Sequence, residues 1–207
     1  MQRAWSKHVI AEDQLGEVRA VAGVDVAYEK DGDRVCAAVV VLDARTLEVV
    51  DEATHVEEAR FEYVPGLFSF RELPPVAACL AALKITPDLV VCDGQGRAHP
   101  RRFGLACHLG VLYDVPAIGC AKTRLIGGHE EPGPLRGSAT PLLDAGEEIG
   151  LVLRTRDGVK PVFVSVGHKV SLPTASEWVL RLASRYRLPE TTRAADQRVN
   201  AVRRSLV

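Results

Sequence analysis

Hydrophobic and polar positions divide the chain into an early β-rich part and a later part of alternating strands and helices. Residues 1–20 have the spacing of an amphipathic helix or an extended arm. Val21-Ala-Gly-Val-Asp-Val-Ala-Tyr28 then reads as a strand with an acid inside it. Residues 34–42 and 47–56 follow as two more β-rich runs, joined by the polar turn Asp43-Ala-Arg-Thr46. Turns this short predict an antiparallel meander. Phe61-Glu-Tyr-Val-Pro-Gly-Leu67 reads as a loop by its Pro-Gly pair.

Residues 69–84 have helical spacing, with Pro74 and Pro75 tolerated only in or near the first turn. The period then changes. Leu89-Val-Val-Cys92 is a short apolar strand, residues 100–112 a helix and residues 116–120 a second strand. Crossovers of that length favour parallel pairing with the helix on a sheet face. Residues 123–148, rich in Gly, Pro and charge, predict a long irregular excursion. Residues 151–155 and 161–166 flank Arg156-Asp-Gly158 as a hairpin, and a last helix over 174–187 precedes a charged tail. The expected fold class is α/β: a mixed β-sheet, antiparallel meander then parallel strands, with helices on both faces. Its 207 residues, 47% apolar and without a long low-complexity tract, fit a single domain over residues 1–207.

The charges sum to −1 but are unevenly placed. Residues 1–62 carry 7 Lys+Arg against 14 Asp+Glu, net −7, while residues 63–207 carry 19 against 13, net +6. A polyanionic partner would therefore meet the later part of the fold. Cys36, Cys79, Cys92, Cys107 and Cys120 sit in apolar runs without CxxC spacing, as expected of buried free thiols in a reducing compartment. No signal-peptide core follows Met1, and no apolar run is long enough to cross a bilayer. These features predict a soluble, cytoplasmic protein, and the absence of heptads makes a monomer the default.

Candidate chemistry concentrates in Asp93-Gly-Gln-Gly-Arg-Ala-His-Pro-Arg-Arg102. An acid at a strand tip can hold a hard cation, and the cationic loop after it can hold phosphates through Arg97, Arg101 and Arg102. Four carboxylates stand out by position: Asp25 inside a strand, Glu72 at the start of a helix, Asp93 at a strand end and Asp196 in the tail. Crowded acids are stable around a cation, with oxygens about 2.1 Å from Mg²⁺. Each also has a plainer reading. Asp25 can be a buried acid bonded to backbone amides, Asp93 a helix cap or turn residue, and Glu72 and Asp196 surface acids. The Gly-Gln-Gly loop lacks G-x-G-x-x-G, which argues against dinucleotide binding.

The order of these acids on this frame resembles the ribonuclease H-like superfamily, and the local motifs resemble the endonuclease V (deoxyinosine 3′ endonuclease) family. The matching stretches begin with Val21-Ala-Gly-Val-Asp-Val-Ala-Tyr28, Tyr63-Val-Pro-Gly-Leu-Phe-Ser-Phe-Arg-Glu-Leu-Pro74 and the Asp93–Arg102 loop. They continue with Ala117-Ile-Gly-Cys-Ala-Lys-Thr-Arg-Leu125, Val164-Ser-Val-Gly-His-Lys-Val170 and Leu188-Pro-Glu-Thr-Thr-Arg-Ala-Ala-Asp196. The resemblance implies Mg²⁺-dependent cleavage of the second phosphodiester 3′ to deoxyinosine in DNA, with Mn²⁺ able to substitute. Two alternatives stay open: an inosine-specific endoribonuclease and a noncatalytic nucleic-acid-binding domain.

Carried over by position, the resemblance makes Asp25, Glu72, Asp93 and Asp196 metal-binding acids. Lys122 becomes the lysine near the scissile phosphate and His99 an active-site histidine. Tyr63, Val64 and Pro65 become the wedge that separates the strands. Glu62 stands where the family carries proline, which touches the wedge geometry rather than the metal chemistry. Hypoxanthine pairs weakly and is cheap to flip, so backbone amides near Gly94, Gly96, Gly127 and Gly128 form a candidate base pocket; these glycines can equally be turn formers. No ligand role is assigned to His168, and the tail arginines read as phosphate contacts or as a solvated face.

Overall fold

In a computed structural model that describes residues 2–30, 32–59 and 68–206, β1 (Ala20–Tyr28) is the strand from which the site is built. Both of its faces are apolar. Ala20, Ala22 and Val24 pack on one side and Val21 on the other, as the two-residue period of a strand requires. Asp25 shares the parity of Val21. β2 (Arg34–Asp43) and β3 (Val49–Glu58) pair antiparallel in sequence, giving the expected meander. Its turn is closed by Asp43 Oδ1, which accepts from the Arg45 and Thr46 amides at 2.9 and 2.8 Å.

β4 (Leu89–Cys92) and β5 (Ala117–Ala121) add in parallel beside β1. β6 (Ala139–Asp144), β7 (Glu147–Leu153) and β8 (Val162–His168) complete one eight-stranded sheet of order β3-β2-β1-β4-β5-β8-β7-β6. α2 (Phe68–Ala82) and α3 (Leu105–Tyr113) cover one face, through Leu73, Val76, Leu105 and Leu109. α4 (Leu172–Leu182) and α5 (Glu190–Arg204) cover the other, through Val179, Leu182, Ala195 and Val199. The five cysteines are buried and free. Among the described residues no helix is long and apolar enough to cross a membrane.

Several expectations are corrected. Of the two forms expected for residues 1–20 the arm is the one found: residues 2–19 hold only the short α1 (Gln2–Trp5) and a 3-10 turn, Ser6–His8. The rest is an arm tied to the end of β8 by Lys169 N–H to Ile10 O at 2.7 Å and Ile10 N–H to His168 Nδ1 at 3.2 Å. Pro74 and Pro75 lie well inside α2 rather than in its first turn, where the buried Leu73, Val76 and Cys79 hold the helix despite the missing donors. The helix expected from residue 100 begins only at Leu105. The excursion over 123–148 contains β6 and the start of β7, and the last predicted helix stops at Leu182. The charged tail is itself a helix, α5.

Two glycines set the approach of neighbouring segments. A Cβ on Gly23 would lie 1.9 Å from the Thr191 carbonyl oxygen, so only glycine lets α5 rest on β1. A Cβ on Gly119 would lie 2.3 Å from the Gly96 nitrogen, so the loop after β4 folds across β5. Together they bring α5 and that loop to one end of the central strands.

Candidate metal centre and substrate cleft

Asp93 follows β4 and is fixed there by its own amide, which donates to Val24 O of β1 at 3.0 Å. It therefore meets Asp25 across neighbouring parallel strands. α5, seated on Gly23, brings Asp196 to the same place. One carboxylate oxygen from each of Asp25, Asp93 and Asp196 lies within 4.8 Å of the others. Three acids far apart in the chain thus converge on the α5 side of the sheet.

Lys122, just after β5, enters this cluster with Nζ 2.5 Å from Asp93 Oδ2 and 3.4 Å from Asp196 Oδ1. Burial opposes its charge, but the hydrogen bond and charge of Asp93, with the charges of Asp25 and Asp196, outweigh that and raise its pKa. Asp25 is pushed up to about 7, first by burial and then by Asp93, with Lys122 acting against the shift. A carboxylate held so far above its ordinary value is one that a further cation would relieve. Oxygen donors at this spacing suit a hard divalent ion.

Glu72 reaches the site from α2, on the opposite face, and is not part of the three-acid cluster. It accepts a hydrogen bond from Tyr28 Oη at 3.2 Å. Burial raises its carboxyl to about 7; the Tyr28 bond works against that, and the charge of Asp93 adds to it. Tyr28 was not singled out from sequence, although its position three residues past Asp25 on the other face of β1 makes it reachable from α2.

Glu72, Asp93, Gly94, Gln95, His99 and Leu105 share a cleft of about 790 Å³ with Arg101, Thr123 and Ile126. His99 is buried, and its Nδ1 accepts the Arg101 amide at 3.2 Å. Of the four candidate pocket glycines only Gly94 lines this cleft. The Gly96 amide is taken by Ser165 Oγ at 2.9 Å, and a Cβ there would strike Val166 O. The Gly128 amide donates to Leu143 O at 2.7 Å. Gly127 has φ +80, a turn conformation that places it against Leu143 O. Gly96, Gly127 and Gly128 are therefore packing or turn residues.

The arginines also divide. Arg97 Nη2 bonds Glu147 Oε1 at 2.8 Å, while Arg102 bonds Glu147 Oε2 at 2.7 Å and Asp144 Oδ2 at 2.8 Å. These two clamp the β6–β7 hairpin onto the loop, and in this conformation their charges are answered within the protein. Arg102 adopts φ +53, a left-handed conformation that such a clamp can hold. Of the three candidate arginines Arg101 is the one that lines the cleft, with Nη1 on Gln2 Oε1 at 2.8 Å. His168 lies outside the acid cluster: it accepts from the Ile10 amide and stands 3.5 Å from Asp114 Oδ1, which makes it an anchor for the N-terminal arm. Tyr63, Val64 and Pro65 lie outside the described residues.

A mixed sheet of this order, with acids gathered at the ends of its central strands, is the arrangement expected of a nuclease of ribonuclease H-like architecture. The chain belongs to the Endonuclease V family, whose model matches residues 3–197. It is 56% identical to the endonuclease V of Roseiflexus sp. (strain RS-1), covering 94% of this chain and 88% of that one. The crystal structure of endonuclease V from Streptomyces avermitilis superposes with a TM-score of 0.95 at 53% identity, covering 100% of this chain and 92% of that one. Endonuclease V of Ciona intestinalis, in complex with a 24mer DNA containing an inosine followed by a ribo-adenosine, superposes at 0.87 with 28% identity. It covers 100% of this chain and 96% of the Ciona chain.

Proposed function

We propose that this nuclease acts in DNA repair, cutting the second phosphodiester bond 3′ to deoxyinosine, with Mg²⁺ held by Asp25, Asp93 and Asp196 and Mn²⁺ able to replace it. The observation that carries this reading is the convergence of those three carboxylates beside a cleft large enough for a nucleobase. The inosine-containing DNA bound by the Ciona relative supports the choice of lesion.

Bound Mg²⁺ supplies positive charge at the scissile phosphate and lowers the pKa of water. The protein's own groups do the rest. Lys122, kept protonated by three acids, faces the charge that develops on a non-bridging phosphate oxygen. Glu72 Oε1 is held by Tyr28, which leaves Oε2 to accept a proton from the attacking water, a task suited to a carboxyl pKa near 7. Gly94 and Gln95 border the place where a flipped hypoxanthine sits, with His99 and Arg101 on the wall beside it. Tyr63, with Val64 and Pro65, fills the gap left in the stack.

The Ciona ligand carries a ribonucleotide directly after its inosine, so inosine-containing RNA is the second reading. The test is cleavage of matched DNA and RNA oligomers, each with one inosine, in the presence of Mg²⁺. A cut at the second bond 3′ to inosine in DNA supports the first reading. A rate confined to RNA selects the second, and no cut in either rejects both.

A further inference from the structure

Beyond the cleft, the loop between α4 and α5 forms a basic shelf. A pocket of about 470 Å³ is lined by Arg136, Arg156, Arg185 and Tyr186 with Thr155 and Asp157, three arginines against one aspartate. The shelf is held rigidly. Arg136 spends its guanidinium on the carbonyls of Thr155, Leu180 and Ala183, closing the C-terminal end of α4. Its own amide bonds Asp157 Oδ1 at 2.6 Å, so the lone acid of the pocket is also engaged. Thr155 Oγ1 donates to Arg187 O at 2.6 Å, which fixes the loop from the other side.

On that frame two cations and one ring face outward. Arg185 is exposed and its guanidinium has no hydrogen bond or ion pair among the described residues. Arg156 is exposed and its guanidinium makes one bond among the described residues, Nη1 to Arg185 O at 3.1 Å. Tyr186 is 45% exposed, and Arg193 Cζ stacks 3.6 Å from its ring centre, although Glu190 also approaches Arg193 at 3.5 Å. Exposed aromatic faces beside guanidinium groups are the surface that single-stranded nucleic acid uses, with bases on the ring and phosphates on the cations.

The shelf is joined directly to the reactive site. Arg187, the residue after Tyr186, donates from Nη2 to Lys122 O at 2.7 Å and to Pro161 O at 2.8 Å. Arg193 precedes Asp196 by one turn of α5. The segment that carries Arg185 and Tyr186 is thus hydrogen-bonded, through Arg187, to the backbone of Lys122. We infer that Arg156, Arg185 and Tyr186 form a flanking site that grips the single-stranded continuation of the cleaved strand; this rests on the nuclease reading above.

The test is single-turnover cleavage, in Mg²⁺, of a long single-stranded inosine oligonucleotide and of one that ends a single nucleotide beyond the scissile bond. Arg156→Ala/Arg185→Ala should raise the half-saturating concentration of enzyme about 10-fold on the long substrate and leave the maximal rate unchanged. Loss of two phosphate contacts should also reduce the slope of log affinity against log salt by about 1.4. Tyr186→Leu, which keeps a packed side chain but removes the stacking face, should weaken the long substrate by roughly 5-fold or more. None of these variants should alter the truncated substrate. If the wild type cuts both substrates and the variants keep its affinity and salt slope on the long one, the shelf is overturned and the nuclease reading stands. If the wild type cuts no inosine substrate, the nuclease reading falls and the shelf with it.

Discussion

Lys122 Nζ and Asp93 Oδ2 stand 2.5 Å apart, so the strand-tip acid at the centre of the cluster already carries a cation supplied by the next strand. The ammonium also reaches Asp196 at 3.4 Å. It stabilises three crowded carboxylates, and in the proposed reaction it faces the phosphate. Lys122→Ala should lower the single-turnover rate by about 10²–10³, as loss of a group that meets developing charge does. It should also lower the unfolding midpoint in EDTA more than in Mg²⁺. Stopped kinetics and paired thermal melts check both; a variant that cuts at the wild-type rate would remove the lysine from the chemistry.

Asp25 is the acid whose charge the fold tolerates least. Its carboxyl is ordinarily near 3.8 and stands at about 7 in the folded chain. A raised carboxyl stabilises the fold below the unfolded value and loses that contribution as pH rises through the folded value. At a pH of about 8, Asp25→Asn should therefore stabilise the metal-free protein by on the order of 2–4 kcal/mol while abolishing the gain from Mg²⁺. Urea titrations in EDTA and in Mg²⁺ read the two effects separately. A variant less stable than wild type in EDTA contradicts the account.

His108 titrates the other way. Burial among Trp5, Phe70 and Phe103, beside Ser69 Oγ at 3.1 Å, lowers its pKa from 6.5 to about 4. A histidine kept neutral in the fold contributes stability that falls as pH drops from 6.5 towards 4. Asp25 and Glu72 oppose this trend over the same range, so the histidine is read as a difference. Relative to His108→Gln, wild type should lose on the order of 1–3 kcal/mol between those pH values. Parallel stability curves for the two proteins would show that His108 is not the buried base described.

Arg102 tests the hairpin clamp. With Glu147 and Asp144 as partners, Arg102→Ala should destabilise the protein by about 1–3 kcal/mol and leave the salt dependence of DNA binding unchanged. The phosphate role expected from sequence would give the reverse, a flatter salt slope with stability retained. Denaturation and binding titrations on the same variant separate them.

The difference between those two roles for Arg102 marks where sequence reading stops. Its cationic character was visible, but its partners lie more than forty residues away on a hairpin, one strand of which, β6, is an edge strand carrying Pro141. Such a strand lacks the long apolar run that makes β1 and β2 readable. α5 was hidden for a similar reason: its buried positions include Thr191, Thr192 and Ala195, so the apolar stripe is thin and the charges dominate. Asp25 stood out because an acid inside an apolar strand is costly. Asp196 alone carries almost no local signal and stands out only by its place in the order of the four acids along the chain. Gln2, buried against Ser69 and Phe103 O, looked like one more polar residue at a chain end.

The direct test of the central claim is single-turnover cleavage of an end-labelled duplex with one inosine, comparing wild type and Asp93→Asn at varied Mg²⁺. The account predicts one cut, at the second bond 3′ to inosine, absent in EDTA and at least about 10³-fold slower for the variant. Cleavage by the wild type in EDTA, or a near-native rate from Asp93→Asn, would contradict it.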